Sequence, residues 1–247
     1  ATVARIKVDA GFSLSEQAAA VLTAQQIDYA VLPDRNFADL GLIVSDMDST
    51  LITIECIDEI AAGVGLKDKV AEITERSMRG EMDFAQSLTE RVALLEGLDE
   101  GVLQSVYDNI LKLSPGAEYL ITECKRHEVK FLLVSGGFTF FTDRLQQQLG
   151  LDYAYANVLE IVDGKLTGKL KGRMIDAQAK ADLLRQHREA LGLTPEQVLA
   201  VGDGANDIPM LQAAGIGVAY HAKPKTEQHA DVAVRFNGLE ALRGLFG

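Results

Sequence analysis

The segment Leu-Ile-Val-Ser at residues 42–45 has the pattern of a buried strand, and two aspartates, Asp46 and Asp48, follow it one residue apart. Successive side chains of a strand point to opposite faces, so a pair at i and i+2 points to one side. At the carboxyl end of a buried strand, both carboxylates can therefore enter the same crevice. Two converging carboxylates in a dry site repel each other unless a cation lies between them or one holds a proton. The pair favours catalysis with a divalent metal.

Short apolar strands alternate with helical patterns from about residue 41 to the end of the chain. Near-continuous apolar strands separated by helices are typical of a parallel sheet covered on both faces. We therefore expect an α/β fold with a doubly wound parallel sheet. The predicted strands are 41–46, 129–134, 198–202, 215–219 and 231–234, and the predicted helices are 116–127, 139–149, 176–191, 207–213 and 238–244. The segment 153–174, with Asp163-Gly164 between its arms, predicts a hairpin on a sheet edge.

The stretch 54–114 interrupts the alternation because it contains helical patterns only. The predicted helices of this stretch are 55–63, 67–78, 83–94 and 99–112. An insertion directly after the first strand lies over the mouth of the site, so we expect a helical cap. The catalytic core would then comprise residues 41–53 and 115–247.

Residues 1–40 form a separate N-terminal segment with an α+β pattern. Their pattern predicts a strand, a helix and a strand over 5–9, 14–25 and 28–33. Such a segment is too short to bury a good core alone, so we expect it to pack on the rest of the chain.

The charge of the chain limits its partners. Asp and Glu number 36 against 24 Lys and Arg, which gives a formal net charge of −12. An acidic protein repels phosphate backbones and anionic lipid, so we expect neither nucleic acid nor a membrane surface as a partner. No apolar run approaches about 18 residues, and the first residues lack a signal-peptide pattern. We therefore expect a cytoplasmic protein, and the oligomeric state stays open, a homodimer included.

Two further strand ends carry polar signatures: Ser135-Gly136-Gly137 and the segment from Gly202 to Asp207. In open parallel sheets, ligands bind beyond the carboxyl ends of the strands. Asp203 and Asp207 are four residues apart, so a helix starting here brings both toward one side. Their carboxylate oxygens are the ligands that Mg²⁺ prefers. The alternative for this segment alone is an Asp-Gly turn followed by a helix cap.

The Ser-Gly-Gly segment supplies a hydroxyl and unobstructed backbone N–H groups at the start of a predicted helix. Such groups can bind a phosphate. Taken alone the tripeptide is a weak signal, because most such tripeptides form ordinary turns.

Four segments, in order, resemble the four motifs of the haloacid dehalogenase superfamily. They are Asp46-Met-Asp-Ser-Thr-Leu, Val134-Ser-Gly-Gly-Phe, Lys180 and Gly202-Asp-Gly-Ala-Asn-Asp. The helical insertion resembles the first type of cap in that superfamily. Within it, Glu55 and Arg91 resemble residues of the phosphoserine phosphatases. The resemblance covers roughly residues 41–240. Related bacterial enzymes often carry an N-terminal regulatory-type domain, and two interpretations of residues 1–40 stay open, a remnant of such a domain or a truncated part of one.

The resemblance implies hydrolysis of O-phospho-L-serine through an aspartyl-phosphate, the last step of serine biosynthesis. Asp46 would be the nucleophile, and Asp48 the general acid and base. The Ser135 hydroxyl, the Gly136 N–H and the Lys180 ammonium would stabilise the phosphoryl oxygens.

The resemblance also implies a bound Mg²⁺ and the residues around it. The metal would take a carboxylate oxygen from Asp46, the backbone carbonyl of Asp48 and a carboxylate oxygen from Asp203. Asp207 would orient metal-bound water, and Asn206 would help to hold Lys180 or the phosphate.

Glu55 and Arg91 offer the two groups that a free amino acid requires, an anion for its ammonium and a forked cation for its carboxylate. Only the resemblance favours that role, since charged residues on amphipathic helices are usually solvated. The nearest alternative is hydrolysis or transfer of another small phosphate ester such as phosphohomoserine. A non-enzymatic alternative is a receiver-like module phosphorylated on an aspartate, but in such a module the acidic cluster falls elsewhere in the chain.

Overall fold

The computed structural model describes residues 2–79 and 81–247, without the side chain of Met78. Within this part of the chain, one sheet contains seven strands in the order β4-β3-β2-β1-β5-β6-β7. The strands are β1 (Leu42–Ser45), β2 (Lys130–Phe138), β3 (Tyr153–Val162), β4 (Lys165–Lys171), β5 (Val198–Gly202), β6 (Ile216–Tyr220) and β7 (Val232–Val234). Every neighbouring pair is parallel except β3 and β4, which form the predicted edge hairpin. The predicted α/β fold is confirmed.

Helices cover both faces of the sheet. Outside the insertion they are α6 (Ala117–Arg126), α7 (Thr139–Leu149), α8 (Ala177–Ala190), α9 (Ile208–Ala213), α10 (Pro224–Glu227) and α11 (Glu240–Gly244). The N-terminal helix α1 (Glu16–Ala24) buries none of its residues. Alternate residues of β1 enter different cores. Leu42 and Val44 pack in a cluster with Leu184 of α8, whereas Ile43 packs in the larger cluster with Phe141 of α7. This alternation shows why the central strands are apolar throughout.

Four helices form the insertion between β1 and β2. They are α2 (Cys56–Gly63), α3 (Lys67–Met78), α4 (Phe84–Ala93) and α5 (Gly101–Asn109). The connection between α4 and α5 is hydrogen-bonded to the edge hairpin. The Gly97 N–H donates to the carbonyl of Leu166 (2.8 Å), and the Leu166 N–H donates to the carbonyl of Leu98 (2.8 Å). The insertion is therefore fixed to the sheet at a point distant in sequence from its own two ends.

The N-terminal segment differs from its prediction. The helix forms as α1, but residues 5–9 and 28–33 pair with no strand in the described chain, so the prediction of two strands there is wrong. A strand needs a hydrogen-bonded neighbour, and this segment is too short to provide one. The Asp28 carboxylate attaches the segment by accepting the N–H groups of Arg235 (2.8 Å) and Asn237 (3.0 Å). None of the described helices has the length and apolar character needed to cross a membrane.

Candidate active site

The three polar strand ends meet at one edge of the sheet because β1 lies between β2 and β5. The parallel register aligns Ser45 of β1 with Leu133 of β2 and with Val201 of β5. The residues that follow these positions therefore emerge side by side. The sequence order places Asp46, Ser135 and Asp203 at neighbouring points of that edge.

Asp46 and Asp207 share one buried ammonium group. Lys180 Nζ lies 2.8 Å from Asp46 Oδ1 and 2.7 Å from Asp207 Oδ1. Lys180 is 1% exposed and Asp207 is 0% exposed. Asp46 Oδ1 also accepts the Met47 N–H at 2.7 Å, and Asp207 Oδ2 accepts the Gly204 N–H at 3.0 Å. We call Asp46, Lys180, Asp203 and Asp207 the buried charge cluster.

The start of α8 brings Lys180 into this cluster. Asp176 caps the helix by accepting the Ala179 N–H at 2.8 Å, which fixes the direction of the first turn. Burial alone would lower the pKa of Lys180, but Asp207 and Asp46 outweigh it and raise the pKa above its ordinary value. Lys180 therefore carries a positive charge at neutral pH.

The carboxylates of the cluster repel one another. Burial, followed by the charge of Asp207, holds the pKa of Asp46 well above its usual range. The same two causes raise the pKa of Asp203 to about 7. The Thr50 hydroxyl, which donates to Asp203 Oδ1 at 3.3 Å, partly opposes this shift.

This set of groups fits a hard divalent cation. Oxygen atoms of Asp46, Asp203 and Asp207 lie within 4.8 Å of one another. Carboxylate oxygens at this spacing suit Mg²⁺, which keeps several water ligands. Asp207 thus lies inside the oxygen cluster, in addition to pairing with Lys180.

The Ser-Gly-Gly segment leaves an open cradle beside the cluster. Ser135 is buried, and its Oγ accepts the Gly137 N–H at 2.8 Å. A Cβ atom at Gly137 would lie 2.9 Å from Asp48 Oδ2 and 3.0 Å from Ser135 Oγ. Glycine is required here because a side chain would fill the space between these two oxygens. Asp48 Oδ2 therefore faces the cradle.

The other oxygen of Asp48 is bound to the insertion. Asp48 Oδ1 accepts the N–H of Cys56, the first residue of α2, at 3.1 Å. The kinked turn Met47–Leu51, in which Ser49 has φ +52°, turns the chain back and makes this contact possible. Burial and the nearby Glu55 raise the pKa of Asp48 to about 7.

Glu55 and Arg91 occupy the insertion and keep free binding capacity. Glu55 is exposed, and its Oε1 accepts the Ser49 hydroxyl at 2.6 Å. Arg91 is half-buried on α4 and donates from Nε to the carbonyl of Ser87 at 3.3 Å. No carboxylate in the described chain forms an ion pair with it.

The start of α4 lies over the Ser-Gly-Gly segment. A Cβ atom at Gly136 would be 3.0 Å from Phe84 Cζ. Arg91 follows Phe84 by seven residues, so both lie on the same face of the helix. This face of α4 is turned toward the strand ends.

Asn157 has a structural role that the sequence analysis missed, whereas the role of Asn206 in holding Lys180 or the phosphate stays a prediction. Asn206 is half-buried, and within the described chain its side chain forms no hydrogen bond to Lys180. Asn157 was not predicted, yet it is 2% exposed and bridges two motifs. Its Nδ2 donates to the Gly136 carbonyl (2.8 Å), and its Oδ1 accepts the Ile175 N–H (2.8 Å). An amide within the otherwise apolar start of β3 was the available signal.

Comparison with known proteins agrees with this geometry. The family model for haloacid dehalogenase-like hydrolases matches residues 40–215. A phosphoserine phosphatase of Polaromonas sp. (strain JS666 / ATCC BAA-500) is 50% identical over 215 residues, which cover 85% of this chain and 91% of that protein.

Solved structures are similar over most of the chain. The unliganded crystal structure of a probable phosphoserine phosphatase from Vibrio cholerae has a TM-score of 0.85 and 47% identity, and the match covers 95% of this chain and 72% of that one. A structure of phosphoserine phosphatase described as a phospho-aspartyl intermediate analogue has a TM-score of 0.79 and 38% identity, with 84% and 99% covered.

Proposed function

This chain belongs to the haloacid dehalogenase-like hydrolase family, and from that premise we propose that it hydrolyses O-phospho-L-serine to L-serine and phosphate. The observation that carries the proposal is the buried charge cluster: a nucleophile-type aspartate, Asp46, lies 2.8 Å from a buried lysine at the end of the central strand. The phospho-aspartyl analogue in a related phosphoserine phosphatase supports a covalent route.

In the first step, a carboxylate oxygen of Asp46 forms a bond to phosphorus as the bond between phosphorus and the serine oxygen breaks. The leaving oxygen needs a proton, which Asp48 donates from Oδ2. A pKa of about 7 lets Asp48 keep that proton near neutral pH, where an ordinary aspartic acid would be ionised.

In the second step, Asp48 is a carboxylate and accepts a proton from water. The water oxygen attacks phosphorus and displaces Asp46, which releases phosphate and restores both aspartates. One residue can serve in both directions because its pKa lies near the working pH.

Negative charge on the three equatorial phosphoryl oxygens must be stabilised in both steps. We assign this role to the Ser135 hydroxyl, the Gly136 N–H and the Lys180 ammonium. The permanent charge of Lys180 suits the role, since fixed charges in a dry site require no reorganisation as the reaction proceeds.

We propose that Mg²⁺ is held by a carboxylate oxygen of Asp46, the backbone carbonyl of Asp48 and a carboxylate oxygen of Asp203. When bound, the ion supplies positive charge that offsets the carboxylates and the phosphate. The clustering of Asp46, Asp203 and Asp207 oxygens within 4.8 Å supports this assignment, and Asp207 would contribute mainly by orienting bound water and Lys180.

We further propose that residues 54–114 act as a cap that selects the substrate. Arg91, which has no carboxylate partner in the described chain, would bind the serine carboxylate bidentately. Glu55 would bind the ammonium group, in an orientation fixed by the Ser49 hydroxyl.

The test is Mg²⁺-dependent phosphate release from L-phosphoserine, measured beside phosphothreonine, phosphohomoserine and p-nitrophenyl phosphate, with Asp46→Asn as the blank. We expect a strong preference for phosphoserine that disappears in the variant. Activity on p-nitrophenyl phosphate alone would retain the chemistry and refute the substrate. A preference for phosphohomoserine would show that this ester, and not phosphoserine, is the substrate.

A further inference from the structure

The two oxygens of Asp48 belong to different parts of the molecule. Oδ1 accepts the N–H of Cys56 at the first residue of α2. Oδ2 lies at the Ser-Gly-Gly cradle, 2.9 Å from the position that a Gly137 Cβ would take. A carboxyl group rotates about its terminal bond unless one oxygen is held. The contact with α2 therefore decides which oxygen faces the cradle.

The surroundings make this contact a strong constraint. Cys56 is 0% exposed, so water does not compete for its N–H. The first N–H groups of a helix have no partner within the helix and favour a carboxylate. The nearby Cys56 thiol also lowers the pKa of Asp48, so its contribution must be separated from that of the N–H. Within the described chain, the Cys56 N–H is the only hydrogen-bond donor to Asp48 Oδ1.

We propose that the main-chain N–H of Cys56 is a positioning group for the general acid, so that the start of the helical insertion orients Asp48 for proton donation. The inference rests on the proposed function, in which Asp48 protonates the leaving oxygen. Cys56 itself touches no reacting atom. Its contribution is confined to the orientation of Oδ2.

The consequence depends on the leaving group. The serine oxygen is a poor leaving group, so it requires the proton from Asp48 as its bond to phosphorus breaks. The p-nitrophenolate ion leaves without a proton. The ratio kcat/KM reports only the steps up to release of the leaving group, so it isolates this difference from the later hydrolysis of the aspartyl-phosphate.

A proline at position 56 removes the N–H and puts its Cδ where the hydrogen pointed, so Asp48 Oδ1 must turn away, while the helix start is kept. Proline is favoured at the first helical position, where the N–H has no helical partner. Glu55, the preceding residue, has φ −98° and ψ 106°, which is the conformation that a following proline requires. Cys56→Ala is the matched variant, because it removes the thiol and retains the N–H. Thermal melting of both variants checks that the fold persists.

For Cys56→Pro we expect kcat/KM for phosphoserine to fall about 10- to 100-fold, a part of the roughly 100- to 10,000-fold that general acid catalysis contributes. The value for p-nitrophenyl phosphate should change less than about twofold, and Cys56→Ala should lose at most about threefold on phosphoserine. Equal losses on the two substrates, or no loss on phosphoserine, would overturn the inference. An inactive wild-type protein on phosphoserine would instead refute the proposed function, so the two failures are distinguishable.

Discussion

The charged groups of the buried charge cluster are paired with one another, whereas Glu55 and Arg91, which we call the cap pair although they form no ion pair, are not. In the cluster, Lys180 and Asp207 are almost completely buried and already bonded to each other at 2.7 Å. In the insertion, Glu55 is exposed and Arg91 is half-buried with no ion-pair partner in the described chain. The groups that we propose for the chemistry are thus already paired with one another, whereas the groups that would select the substrate are free to bind it.

The difference follows from the free energy of desolvation. A charge removed from water is costly unless a partner is in place, so the buried lysine must have its carboxylates in the folded protein. Burial also raises the pKa of Glu55 and lowers that of Arg91, but both side chains keep contact with water, so they need no ion-pair partner within the protein. Changes in the cluster should therefore affect every substrate and the fold, and changes in the cap pair should affect only amino-acid substrates.

The largest effect is expected for Asp46→Asn. The amide is not a nucleophile, so kcat should fall at least about 1,000-fold on phosphoserine and on p-nitrophenyl phosphate alike. Steady-state phosphate release with both substrates measures this. A variant that lost activity on phosphoserine alone would show that Asp46 selects the substrate, and the contrast between the cluster and the two insertion residues would then fail.

Lys180→Met should lower both activity and stability. Activity should fall about 100-fold or more on both substrates, and removing one partner of a buried pair should lower the free energy of unfolding by about 3 kcal/mol. Urea unfolding followed by circular dichroism measures the second effect. Lys169→Met, at an exposed position on β4, is the control and should match the wild type in both assays.

Arg91→Lys should change selectivity without changing the chemistry. A lysine cannot bind a carboxylate bidentately, so kcat/KM for phosphoserine should fall about 10- to 100-fold. The value for p-nitrophenyl phosphate should stay within about twofold of the wild type. Arg76→Lys on α3, which affects only surface pairs with Glu90 and Glu81, is the control. An equal loss on the two substrates would show that Arg91 supports the fold of the insertion instead.

Protons should compete with Mg²⁺ for the carboxylates of the buried charge cluster. The pKa of Asp203 is raised to about 7, so this carboxyl increasingly holds a proton as the pH falls through 7. Binding of Mg²⁺ must displace that proton, and its apparent Kd should rise by up to about tenfold for each pH unit below 7. Isothermal titration of Mg²⁺ between pH 6 and about pH 8 tests this, and in Asp203→Asn the pH dependence should weaken to the part that Asp46 contributes. A pH-independent Kd in the wild-type protein would exclude Asp203 as a ligand.

The sequence was informative where one local pattern carries both structure and chemistry. Asp46, Ser135 and Asp203 each follow a short apolar run, and the rule that parallel strands end at one edge was enough to predict their proximity. The insertion was recognised for the same reason, because helical periodicity replaced the strand–helix alternation.

The prediction of two N-terminal strands was wrong because a strand forms only with a hydrogen-bonded neighbour. Residues 5–9 have the alternation of a strand, but hydrogen bonding needs a neighbour that the described chain does not supply. Asn157 was missed because its two partners, Gly136 and Ile175, lie 21 and 18 residues away. His187 has polar neighbours in sequence, yet it is 8% exposed and its Nε2 lies 3.1 Å from the hydroxyl of Tyr155.

The amino-acid sequence by itself determined the order of strands and helices, the identity of the acidic strand ends and the resemblance that predicts their chemistry. Only the tertiary structure decided that Lys180 joins Asp46 to Asp207, that Asp48 is held by the first residue of α2, and that α4 faces the cradle. The physical reason is that hydropathy and backbone preferences act between neighbours in the chain. The pairing of buried polar groups depends on which distant segments the sheet and the insertion bring into contact.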